Sequence, residues 1–154
     1  MLKQATDSAD KIEHSDSKAR ALSAIAQTIG KLNNLPKAQD LLEKATDSAD
    51  KIQSSDNKAE ALSAIAEAIG KLNNLPKAEE LLKQATDSAD KIENSDSKAE
   101  VLSAIAEVAA NLKSWGLALK ATNECPNPSC EVESLTKVLT IHGEQKNPEL
   151  KEEK

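Results

Sequence analysis

Few residues in this chain are equipped for chemistry. Cys125-Pro126-Asn127-Pro128-Ser129-Cys130 is the least repetitive segment. Its two thiols could close a local disulfide, serve as a redox switch, or bind a metal if further ligands joined them. The simpler reading, adopted here, buries Cys125 at an alanine position and leaves Cys130 in a loop. His14 and His142 stand in unrelated parts of the chain and form no metal-spaced pair, so each is read as a surface or cap residue. Asp7/Asp10, Asp47/Asp50 and Asp87/Asp90 recur at i,i+3. They could form an acidic row for cations or a basic partner, and are read instead as a solvated face beside Lys11, Lys51 and Lys91. Gly30-Lys31 and Gly70-Lys71 lack the earlier glycine and the Ser/Thr of a phosphate-cradling loop. We therefore expect no catalytic residues, no metal site and no cofactor. Trp115 is read as a packing anchor.

The composition agrees with a helical, non-enzymatic chain. Its 154 residues suffice for one domain. Trp115 is the sole aromatic residue, and 24 residues are alanine, which favours helix over sheet. The net charge of −6 argues against a binder of phosphate backbones, so no nucleic acid is expected as partner. No run approaches the roughly 18 apolar residues of a membrane span, and Met1-Leu2-Lys3-Gln4 opens no secretory signal, which makes the cytoplasm the expected location.

An internal repeat dominates the sequence. Met1–Asp10 returns at Leu41–Asp50 and Leu81–Asp90, and residues 1–40 match 41–80 at 29 of 40 positions. Each 40-residue period holds two helical stretches. From Pro76 to Asn94, the apolar residues Ala78, Leu81, Leu82, Ala85, Ala89 and Ile92 make one stripe. Pro76 suits a first turn, and Glu79–Lys83, Lys83–Asp87 and Asp87–Lys91 are spaced for pairing along the helix. From Asn57 to Leu72 the apolar positions cover more than one side, so this helix is expected inside the stack. Asn57/Glu60 and Ser97/Glu100 resemble capping boxes, and Asn73-Asn74 is a plausible stop.

The third copy diverges after Glu107. A short helix from Leu117 to Cys125 is expected, then a proline stop, then a helix from Glu131 to His142 ended by Gly143. Aligning Leu135 with Leu62 leaves a truncated fourth unit, whose exposed Thr136, Lys137 and Thr140 suggest a polar cap. The expected organisation is one domain over 1–143, with units at 1–16 (a half unit), 17–54, 57–94 and 97–143, and a polar tail at 144–154. The first helix, Leu2 to Glu13, lacks a preceding partner, so either a weak two-fold homodimer through it or a longer parent chain that supplied the missing helix is expected.

Leu62, Ile65, Ala66 and Ile69, followed by Ala78, Leu82 and Ala85, resemble the tetratricopeptide repeat pattern of large and small apolar residues. Leu22, Ile25, Ala26, Ile29, Ala38, Leu42 and Ala45 repeat it. Leu102, Ile105, Ala106 and Ala118 begin a third copy, which then places Thr122 and Cys125 where Leu and Ala are expected. The period departs from that family's usual length of about 34 residues. The family's closing proline is absent at Asp90.

The resemblance implies an all-α fold: a right-handed α-solenoid of stacked antiparallel helix pairs. It also implies that first helices line a concave face. Arg20, Ser23, Gln27, Glu60, Ser63, Glu67, Glu100, Ser103 and Glu107 are the candidate partner-binding residues there, a serine ladder flanked mainly by acids. The expected function is a noncatalytic scaffold for a protein or peptide, with basic or amide-rich segments favoured. The alternative is a structural or engineered consensus repeat without a natural ligand, which the near-identity of the copies favours.

Overall fold

A computed structural model describes residues 1–32 and 37–147. Among the described residues there are eight α-helices and no strand: α1 (Leu2–Asp10), α2 (Ser15–Lys31), α3 (Ala38–Asp50), α4 (Ser55–Ile69), α5 (Leu75–Asp90), α6 (Ser95–Asn111), α7 (Trp115–Asn123) and α8 (Pro128–Lys146). Helices adjacent in the chain pack together, and so do every second ones. The even-numbered helices form one row, α2 on α4 on α6 on α8, and the odd-numbered helices form another.

The apolar periodicity explains this arrangement. Leu22, Leu62 and Leu102 are fully buried, as are Ile65, Ile105, Leu42, Leu81 and Leu82. Ala26, Ala66 and Ala106, with Ala45 and Ala85, are also fully buried. Their methyl groups leave room for close helix approach where a larger side chain would hold the backbones apart. Buried threonine hydroxyls are satisfied locally: Thr46, Thr86 and Thr122 each donate to the carbonyl four residues earlier, at 2.8–3.0 Å. Trp115 is partly buried against this core and meets His142 edge to face, with ring centroids 4.9 Å apart.

Several boundaries differ from expectation, each for a local reason. The first helices of the units begin at Ser15, Ser55 and Ser95, two residues before the expected unit starts. Ser54 Oγ accepts the Asn57 N–H at 3.5 Å, and Asn94 Oδ1 accepts the N–H groups of Asp96 and Ser97 at 3.0 and 2.9 Å. Asn57 and Ser97 therefore lie within the first turn and are not caps. Asn74 does not stop α4, which ends at Ile69; its Oδ1 caps α5 by accepting the Lys77 N–H at 3.2 Å. The helices expected to reach Glu13 and Asn94 end at Asp10 and Asp90. Likewise α7 spans Trp115–Asn123, two residues earlier than expected.

At the far end, Pro128 opens α8 from its first turn with Asn127 as cap, so the prolines separate two helices and also start the second. Gly143 does not end α8, which continues to Lys146. Gln145 anchors that last turn by donating to the carbonyls of Ala110 and Asn111 at 3.2 and 3.4 Å. The expected tail at 144–154 thus begins later, and its residues 148–154 lie outside the described residues. The fourth unit is not a polar cap either: Val132 and Leu139 are 64% and 66% exposed.

Candidate functional site

The even-numbered row positions the candidate residues. Ser63, Glu67, Glu100, Ser103 and Glu107 line one open cavity of about 570 Å³ between α4, α6 and α8. The same wall holds Asp96, Asn127, Ser129, Glu133 and Lys137. Four expected residues lie elsewhere. Arg20 is exposed and bound to Asp16 at 3.2 Å along its own helix. Ser23 is buried, while Gln27 and Glu60 are exposed, and none of these lines the cavity.

The cavity is acidic, with one cation at its α8 wall. Lys137 Nζ donates to Ser103 Oγ at 3.0 Å and lies 3.1 Å from Glu133 and 4.0 Å from Glu107. Glu67, Glu100 and Asp96 have no ion pair among the described residues. Among the described residues Ser63 Oγ and Ser23 Oγ have no hydrogen-bond partner, whereas Ser103 Oγ has one. The register explains the contrast: with Leu135 aligned to Leu62, Lys137 falls at the position of Ala64 and Ala104. An alanine thus stands in the inner units where α8 supplies an ammonium. Lys137 is therefore part of the cavity wall, not an outward-facing cap residue. The signal that reveals it is this alignment together with its length and charge.

Three of the periodic aspartates, Asp7, Asp10 and Asp50, act between units. Asp10 accepts from Lys51 at 2.8 Å and from Ser48 at 2.6 Å. Asp50 accepts from Lys91 at 2.6 Å, and Asp7 from Lys44 at 3.3 Å. Lys91, expected to pair with Asp87 along its own helix, thus reaches the preceding unit. The bonds from Lys51 and Ser48 hold the Asp10 carboxyl below the usual carboxylate range. At Asp50 partial burial pushes the carboxyl up, but the Lys91 bond and charge outweigh it and the net shift is downward. A further cation, Lys18, is more covered and donates to the Asp10 carbonyl at 2.9 Å. These carboxylates are occupied as cross-links within the stack.

Cys125 and Cys130 form a disulfide, with Cα atoms 5.6 Å apart. The expected unbonded arrangement is thus corrected: Cys130 is buried in the first turn of α8 and Cys125 is partly exposed after α7. The Pro-Asn-Pro turn folds the chain back on itself, which brings the sulfurs together. Both sulfurs are used in this bond, so neither is left as a thiolate ligand. Among the described residues no helix is long and apolar enough to cross a membrane. Comparison with protein-family models, curated proteins and solved structures gives no significant match for this chain.

Proposed function

We propose that this chain is a right-handed α-solenoid of tetratricopeptide-like helix pairs and serves as a noncatalytic scaffold for a basic peptide or protein segment. The observation that carries this reading is the acidic cavity on the even-numbered row, where Glu67 and Glu100 have no cation of their own among the described residues. The 40-residue period and the two rows of helices support the solenoid. The mechanism is a rigid surface whose carboxylates attract cationic side chains. Carboxylates on an exposed wall act mainly through long-range attraction, so binding weakens as salt rises.

The test is selection from a random peptide library on the full chain and on a variant carrying Glu60→Gln, Glu67→Gln, Glu100→Gln and Glu107→Gln. The expected result is a set rich in Lys and Arg that binds the unmodified chain and not the variant. Absence of any saturable binder would instead favour the structural or consensus repeat, which the 29-in-40 identity of the first two copies supports.

A further inference from the structure

We infer that copies of this chain associate head to tail, the α7–α8 end of one seating on the α1–α2 end of the next. This goes beyond the groove reading and uses surfaces outside the acidic cavity. The repeat supplies its own reference for what should cover each end. Met1, Leu2, Ala5 and Ile12 hold the register positions of Leu41, Leu42, Ala45 and Ile52, and of Leu81, Leu82, Ala85 and Ile92. All eight internal residues are buried. At the first unit Met1 and Ala5 are exposed, and Leu2 and Ile12 are only partly covered. On α2, Thr28 is exposed at the position where Ala68 is buried.

The other end shows the complementary defect. In the alignment of Leu135 with Leu62, Val132 and Leu139 take the positions of Ala59 and Ala66. Those alanines are fully buried, whereas Val132 and Leu139 are among the most exposed apolar residues described. Leu119 on α7 is exposed beside them in the order of the stack. After α8, a helix of the even row, the repeat calls for a helix of the odd row, and α1 is such a helix. The order α8, then α1 and α2 of a second copy, reproduces α4–α5–α6, a joint already present within the chain.

Charge supports the same pairing. The apolar cavity formed by Met1, Leu2, Leu32 and Leu41 is rimmed by Lys3, Lys37 and Lys44 against one acid, Asp40. Glu131 precedes Val132 on α8 and is exposed. Val132 and Leu139 are bulkier than the alanines they replace, so the joint cannot close to the internal spacing and is weaker than those within the chain. The contact is heterologous and leaves one open end on each copy, so association continues past the dimer.

Sedimentation velocity of the full chain over a concentration series up to the millimolar range tests this, with Leu139→Glu disabling one end and Ala5→Glu the other. Both positions are exposed, and circular dichroism verifies that the variants keep their helices. The unmodified chain should rise in mass beyond two copies, and each variant alone should stay monomeric. An equimolar mixture of the two variants should form dimers and nothing larger, because one intact joint remains per pair. Three results would overturn the inference: a monomeric unmodified chain at every concentration, a mixture that stays monomeric, or Leu139→Glu associating as the unmodified chain does. The last would favour two-fold pairing through α1.

Discussion

Gly30 and Gly70 occupy the same register position in successive units, yet alanine should act oppositely at the two. A Cβ on Gly30 would meet Lys71 Cδ at 3.2 Å and Ala68 at 3.5–3.6 Å. The lysine chain is flexible and can swing aside. Gly30 lies in the last turn of α2, so Gly30→Ala should gain part of the glycine-to-alanine helix propensity, about 0.5 kcal/mol. A Cβ on Gly70 would lie 2.8 Å from Val108 Cγ1, a short branched side chain on α6. That overlap must be relieved by moving α6 or twisting Val108, at about 1–3 kcal/mol. For a chain of this size, the melting temperature should rise by about 1–2 °C for Gly30→Ala and fall by about 2–12 °C for Gly70→Ala. Val108→Ala made in the Gly70→Ala background should recover much of the loss, with a coupling of about 1 kcal/mol or more. Thermal melts and urea titrations of five proteins measure this: the unmodified chain, Gly30→Ala, Gly70→Ala, Val108→Ala and the Gly70→Ala/Val108→Ala double variant. Equal shifts of one sign for both glycines, or no recovery with Val108→Ala, would refute the packing of α4 on α6 argued here.

Leu62 is fully buried, so Leu62→Ala should lower stability by roughly 2–5 kcal/mol, read from the urea midpoint; an unchanged midpoint would contradict the stacked core. Reducing Cys125–Cys130 opens a loop with a sequence separation of five. The loss should be about 2 kcal/mol, confined to α7 and α8, and hydrogen exchange with and without a dithiol reductant should show faster exchange there. The Asp10 and Asp50 carboxyls are lowered in the fold, so their contribution is fully present above the unfolded value of about 3.9 and is lost as pH falls through the folded values. Acid titration followed by circular dichroism should therefore show a shallower loss of stability below pH ~4 in Asp10→Asn and Asp50→Asn than in the unmodified chain. Identical acid limbs would contradict the cross-unit bonds.

The apolar pattern made the helices and their buried leucines legible, because a repeated stripe fixes which side of each helix meets its neighbours. Cap positions were harder to read. Ser54-Ser55-Asp56-Asn57 offers four successive residues that can cap, and only the backbone angles decide that Ser54 does so. Gly143 reads as a stop, yet α8 passes through it because Gln145 ties the next turn to α6. The groove was half legible: the serine and glutamate positions follow from periodicity, but the cavity forms only where α8 closes it. The alignment of Leu135 with Leu62 marks Lys137 as the odd residue at an alanine position, and the packing of α8 on α6 turns that mark into a cavity wall. The cross-unit bonds did leave a signal, since Asp10–Lys51 and Asp50–Lys91 share one spacing, a single residue beyond the period. Reading them required knowing that equivalent helices lie side by side.

The central claim is that the acidic cavity between α4, α6 and α8 receives a basic segment. Amide chemical-shift mapping on the isotope-labelled full chain, titrated with a lysine-rich helical peptide, tests it most directly. The account predicts saturable shifts concentrated at Ser63, Glu67, Glu100, Ser103 and Glu107, lost in the four-glutamine variant and weakened by salt. Shifts spread over the whole surface, concentrated on the odd-numbered helices, or unchanged in that variant would contradict it.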